Sequence, residues 1–134
     1  MGKKIAHIGI AVENLDDWIP YYRDVLGLDF LGTEEVTEQK VKVAFLKIGE
    51  STIELLQPTS DDSPIAKFLA SRGGGIHHIA IQVDNIADEI DTHNIASARL
   101  IDQEPRIGAH DMKIAFIHPK ATGGVLIELC QESE

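Results

Sequence analysis

From Ile5 to Val12 the chain alternates in the manner of an extended strand. Ile8, Ile10 and Val12 fall on one side, and Ile5, His7, Gly9 and Ala11 on the other. The period then lengthens to that of a helix. Asn14 stands near its start, Asp16 and Asp17 supply acidic first-turn residues, and Gly27 supplies the stop. The pattern predicts a helix over about Asp16 to Leu26, with Pro20 in the first turn and Trp18, Tyr22, Val25 and Leu26 as its inward stripe. Three strand-like runs come next, about Asp29–Val36, Val41–Ile48 and Ser51–Gln57, with Gly49-Glu50 as a tight turn between the last two. Ser63-Pro64 reads as an N-cap and first helical position. A short helix extends from there to about Ser71, and Gly73-Gly74-Gly75 closes the linker.

The remaining chain repeats the first part. Ile5 to Asp17 and Ile76 to Asp88 share seven of thirteen positions, His7 and His78 among them. Lys42-Val43-Ala44-Phe45 answers Lys113-Ile114-Ala115-Phe116, and Ile53-Glu54-Leu55-Leu56-Gln57 answers Ile127-Glu128-Leu129-Cys130-Gln131. A second helix is expected over about Ile86–Ser97, with Ile86 and Ile90 inward and Asn85 at its start. Strands are expected over Ala98–Asp102, Lys113–His118 and Val125–Gln131. The expected class is α+β: two βαβββ modules whose concave mixed sheets are paired around a cleft. One domain is expected over residues 1–134, with module one at about 4–58, a linker helix at about 63–73 and module two at about 75–131.

Each module carries one histidine early and one glutamate late, inside apolar strands. A lone strand histidine is ordinarily a hydrogen-bonded structural residue, and a lone mid-strand glutamate ordinarily faces solvent. The same pair at equivalent positions in both copies favours another account. A carboxylate on an apolar strand is costly to bury unless it is paired or bound to a cation. Pseudo-twofold pairing of the modules would gather His7, Glu54, His78 and Glu128 around one divalent metal. Two nitrogen and two oxygen donors suit Zn²⁺, Co²⁺, Mn²⁺ or Ni²⁺ rather than Ca²⁺. His77 points to the opposite face of its strand and reads as a packing residue. His93 is expected on an exposed helix face, and Cys130 as a small buried apolar group. His110 and His118 flank the strand around Lys113–Phe116, within reach of a cleft.

A net charge of −10 opposes nucleic acid and anionic membranes as partners. A small anionic substrate is still admissible, because a distant field is screened within about 10 Å. No apolar run reaches membrane-spanning length, the start lacks a signal-peptide pattern, and a single cysteine suits a reducing compartment. A soluble cytoplasmic protein is expected.

Paired βαβββ modules with this His/Glu arrangement resemble the vicinal oxygen chelate superfamily, the glyoxalase/bleomycin resistance/dioxygenase group. Within it the chain resembles the epimerases of methylmalonyl-CoA. The segments that carry the likeness are His7-Ile8-Gly9-Ile10-Ala11-Val12, Glu54-Leu55-Leu56-Gln57-Pro58 and Asp62-Ser63-Pro64-Ile65-Ala66. Gly74-Gly75-Ile76-His77-His78-Ile79-Ala80, Ile107-Gly108-Ala109-His110, His118-Pro119-Lys120 and Gly123-Gly124-Val125-Leu126-Ile127-Glu128-Leu129 complete them. The resemblance implies a glyoxalase-like fold and one divalent ion per chain held by His7, His78, Glu128 and Glu54. It implies an acyl-CoA substrate, a homodimer, and interconversion of 2R and 2S epimers by proton transfer alpha to a thioester. Glu128 is the expected proton carrier on one face and Glu54 on the other; Val43 stands where some relatives have a further glutamate. Lys120, His110 and Arg106 are expected to contact substrate. Two alternatives stay open: a glyoxalase I-like lyase acting on a glutathione hemithioacetal, and a drug-binding resistance protein without chemistry.

Overall fold

The computed structural model describes residues 2–132. In chain order the elements are β1 (Lys4–Ala11), α1 (Leu15–Pro20), which runs into a wide turn over Tyr21–Val25, β2 (Asp29–Val36), β3 (Val41–Ile48) and β4 (Ser51–Pro58). Then come α2 (Pro64–Arg72), β5 (Gly75–Gln82), α3 (Ile86–Ile95), β6 (Arg106–Ile107), β7 (Lys113–Ile117) and β8 (Ile127–Gln131). The chain divides into two compact units: His7–His77, and the residues up to Ala6 together with those from His78 onward.

In the His7–His77 unit the strands lie in the order β2-β3-β4-β1. β1 and β4 are parallel, whereas β2–β3 and β3–β4 are antiparallel. Alternation along these strands separates two faces. One face carries Ala44, Leu46 and Leu55, which pack with Val12 against Leu15 and Ile19 of α1, with Tyr22 and Leu28 alongside. The other face carries His7, Val43, Phe45, Glu54 and Leu56.

The inward stripe of the first helix is therefore Leu15, Ile19 and Tyr22. The expected Trp18, Val25 and Leu26 are exposed, at 48%, 75% and 49%. The cause is Pro20. Asn14 caps the helix, its Oδ1 accepting from the Asp16 N–H at 3.0 Å, so the helix begins at Leu15 and Pro20 falls in the second turn instead of the first. There its missing N–H and its ring break the regular ladder. The next turn widens, and the Leu26 N–H donates to the Tyr21 carbonyl five residues back at 2.8 Å. α2 is capped by the fully buried Ser63, whose Oγ accepts from the Ile65 N–H at 3.1 Å. Gly74 comes after α2, where a Cβ would stand within 3.3 Å of the Ala11 carbonyl oxygen.

The other unit repeats the arrangement in the order β5-β8-β7-β6, with β5 and β8 parallel and the remaining pairs antiparallel. Val83, Ile86, Ile90, Ala115, Ile117 and Leu129 form its helix-side core. Ala80, Ile114, Phe116 and Cys130 cluster on the other face. The expected strand Ala98–Asp102 is not formed; Leu100 alone bridges to Ile117. The Asp102 carboxylate accepts the Phe116 N–H at 2.8 Å, supplanting a backbone acceptor there, and the short β6 pairs with β7 instead. α3 ends at Ile95, two residues short of the expected Ser97, because Ser97 adopts a left-handed conformation with φ 57°.

Candidate functional site

Parallel pairing of β1 with β4 sets Gly9 directly beside Glu54 and His7 beside Thr52. Gly9 offers no side chain on that flank of the glutamate. His7 Nδ1 and Glu54 Oε2 approach to 3.0 Å. Phe45, on β3 opposite Glu54, covers the other flank and is buried. Glu54 is itself only 9% exposed.

The second unit builds the same pair with different residues around it. Parallel pairing of β5 with β8 sets the fully buried Ala80 beside Glu128. His78 Nε2 and Glu128 Oε1 lie 3.1 Å apart, at 5% and 6% exposure. Phe116, opposite Glu128 on β7, meets the His78 ring edge-on at 5.9 Å between centroids. The Arg106 guanidinium lies 5.4 Å from the Phe116 ring centroid, and its Nε is 3.3 Å from Asp102 Oδ1. Arg106 is thereby held near the face that carries Glu128.

Each pair passes a simple metric test for metal ligation. Two donors about 2.1 Å from one ion and at right angles around it are separated by about 3.0 Å. The observed 3.0 and 3.1 Å equal that edge and are also the length of a direct hydrogen bond between the two groups, so the donor chemistry decides. Imidazole nitrogen with carboxylate oxygen is also the donor chemistry of a divalent transition ion. The residues therefore fit such an ion.

Lys120 sits in a short turn over Pro119–Ala121, its backbone N–H donating to His118 Nδ1 at 3.0 Å. Burial, then the charges of Arg99 and Lys120, push the His118 imidazole below its ordinary value. His110 and Asp111 both adopt left-handed conformations, with φ 56° and 58°. Two successive non-glycine residues in that region store backbone strain. Gly108 precedes them against Ile114, where an added Cβ would stand 3.0 Å from Ile114 Cδ1. The structure thus joins Arg106 to the surroundings of His78 through Phe116, while His110 and Lys120 occupy separate turns. His77 packs edge-on against Phe68 at 5.0 Å, and His93 Nδ1 lies 2.7 Å from the Glu89 carbonyl oxygen.

Three residues acquire roles that sequence reasoning did not assign. Phe116 braces His78. Gln57 and Gln131, three positions after Glu54 and Glu128, bind the helix starts of their own units. Gln57 Oε1 accepts the Leu15 N–H at 2.8 Å, and Gln131 Oε1 accepts the Ile86 N–H at 2.8 Å. The repeat displayed both glutamines. Their partners, 42 and 45 residues away in sequence, left no local signal.

Comparison with known proteins agrees with this geometry. Residues 6–116 match the Glyoxalase/Bleomycin resistance protein/Dioxygenase superfamily. The mitochondrial methylmalonyl-CoA epimerase of Mus musculus is 40% identical, over 96% of this chain and 72% of that protein. The ethylmalonyl-CoA/methylmalonyl-CoA epimerase of Cereibacter sphaeroides is 38% identical, over 96% of this chain and 97% of that one. A methylmalonyl-CoA epimerase solved in complex with methylmalonyl-CoA and NH4+ superposes with a TM-score of 0.93 at 38% identity, covering 98% of this chain and 95% of the other.

Proposed function

The chain belongs to the Glyoxalase/Bleomycin resistance protein/Dioxygenase superfamily, and from that premise we propose that it interconverts the 2R and 2S forms of methylmalonyl-CoA. The fold is the mixed α+β arrangement of that superfamily. The observation that carries the proposal is the buried imidazole–carboxylate pair, built twice on equivalent strands. In this reading His7, His78 and Glu128 supply ligand atoms to one divalent ion per chain, and Glu54, beside His7, is added as a fourth ligand. When bound, such an ion supplies Lewis-acid polarisation of the thioester oxygen and a positive charge near it. The ion is one of Co²⁺, Zn²⁺, Mn²⁺ or Ni²⁺.

The protein's own groups move the proton. Inversion at carbon needs an acceptor on one face and a donor on the other. Glu128 takes the alpha proton on one face, beside His78 at 3.1 Å and shielded from water by Phe116 and Ala80. On the other face the carrier is a carboxylate of the His7–His77 unit, for which the repeat offers Glu54, the equivalent of Glu128. Arg106, Lys120 and His110 are assigned to the anionic substrate, and the position of Arg106 over Phe116 supports its inclusion. The exposed Trp18, Tyr21, Val25 and Leu26 offer an apolar face for a homodimer. The buried Cys130 thiol donates to the Ile81 carbonyl at 3.6 Å, and no helix among the described residues is long and apolar enough to cross a membrane.

The test is proton–deuterium exchange with methylmalonyl-CoA in D2O, repeated with each candidate metal. Exchange at the alpha carbon with loss of optical purity is expected. Absence of both with every metal, alongside turnover of a glutathione hemithioacetal, would move the protein to the lyase alternative.

A further inference from the structure

Cross-strand register in the His7–His77 unit runs Gly9–Glu54–Phe45–Gly32 in one row. Two residues along, it runs Ala11–Leu56–Val43–Glu34. Directly opposed residues share a face of a sheet. Glu34 therefore projects to the same side as Glu54 and His7. Burial along β2 agrees: Thr33 and Glu35 are exposed, Gly32 and Glu34 are partly covered, and Val36 is buried. Around Glu34 that face is apolar, with Val41, Val43 and Leu56 all buried.

Position matters as much as orientation. His7 lies on one diagonal from Glu54, one strand over and two residues back, and its Nδ1 engages the Glu54 carboxylate. Glu34 lies on the opposite diagonal, two strands over and two residues forward. With strands about 4.8 Å apart and residues about 3.4 Å apart, the two glutamate Cα atoms are separated by roughly 12 Å. Both side chains project to one side across that span. β2 is also the outermost strand of its unit, so the Glu34 carboxyl has access to water for proton exchange.

Resting on the epimerase reading above, we infer that Glu34 carries the proton on this unit's side of the reacting carbon, leaving Glu54 to ligation. The alpha C–H bond breaks, and its proton passes to the Glu34 carboxylate. The bonding electron pair moves toward the thioester oxygen. The carboxylic acid form of Glu128 then donates its proton to the opposite face, forming the new C–H bond. Glu34 returns its proton to water, Glu128 takes one up, and the reverse direction exchanges the two roles. An inward charge on an outer strand has another known use, the blocking of edge-to-edge strand pairing. The two uses differ in what Glu34→Gln would do.

Wild-type protein is measured first, because failure to exchange or invert there would defeat the epimerase reading without reference to Glu34. Given an active wild type, Glu34→Gln is expected to lower kcat for inversion by about 10²-fold or more with KM little changed. Alpha-proton exchange through Glu128 should continue for one epimer only, with metal content as in wild type. Glu34→Asp should recover part of the inversion, and Glu35→Gln, on the other face, should behave as wild type. Inversion by Glu34→Gln within about threefold of wild type would overturn the inference and return the task to Glu54. Equal loss of exchange for both epimers in folded protein would also overturn it. If Glu34→Gln does not fold, Glu34→Asp decides: slowed inversion with one-sided exchange supports the assignment, and unchanged inversion removes it.

Discussion

The amide of Gln131 offers a quantitative test of how the site is braced. The Ile86 N–H is among the first donors of α3, which have no acceptor within the helix. Ile86 is 2% exposed, so water is a poor substitute for the Gln131 Oε1 that accepts this N–H at 2.8 Å. Gln131→Leu keeps much of the side-chain volume and removes the acceptor. Stranding a buried donor costs about 1–3 kcal/mol. On a chain of this size each kcal/mol lowers Tm by about 4 °C. Gln131→Glu retains an oxygen and adds a negative charge at a helix N-terminus, worth about 0.3–1 kcal/mol in the stabilising direction, so it should lie near wild type or above it. Gln57→Leu, which strands the Leu15 N–H in the same way, should cost a similar amount. Urea unfolding and thermal melts read these differences. Values within about 0.3 kcal/mol of wild type for both leucine variants would refute the reasoning, since neither glutamine would then be serving as the cap. A Gln131→Glu variant as damaged as Gln131→Leu would refute it equally.

Other outcomes rest on the same geometry. His78→Ala should lose most bound divalent ion from about one per chain, read by elemental analysis of dialysed protein; undiminished metal would remove His78 from the ligand set. Glu128→Gln keeps an oxygen donor, so it should hold metal yet epimerise about 10²-fold more slowly, as measured by loss of optical activity. Hydrogen bonds from Lys40 and then Ser60 hold the Asp62 carboxyl down to about 2 from 3.8. Between those values the unfolded chain binds the proton more readily, so the Asp62 contribution is complete above about pH 4 and fades as pH falls toward about 2. Melts across that range should show Asp62→Asn with a shallower loss of Tm on acidification than wild type.

Strand-like runs closed by turn signals were enough to locate β2 and β3. Alternation places His7 opposite Ile8, and Glu54 opposite Ile53 and Leu55, within their own strands, and the repeat supplied an independent copy of each; the cross-strand register is what sets the two on one face. Where the geometry depended on partners distant in sequence, the pattern misled. Trp18, Val25 and Leu26 read as inward on a continuous helix. Pro20 interrupts the ladder, and the widened turn rotates Val25 and Leu26 away from the core. Ala98–Asp102 looked like a strand because nothing local shows that the Asp102 side chain will take the Phe116 N–H. The face occupied by Glu34 emerged only from its pairing with Val43, since both neighbours, Thr33 and Glu35, are polar and leave no alternation to read.

The widened turn after Pro20 has no counterpart in the other unit, where α3 runs ten residues without interruption. It leaves the spacing of the repeat untouched: His7 to His78 and Lys42 to Lys113 are both steps of 71 residues. β1 and β5 are each eight residues long, with the histidine fourth in each. The helix is the tolerant part of each copy: its turns differ in form while the number of residues between the strands that must remain equivalent is kept.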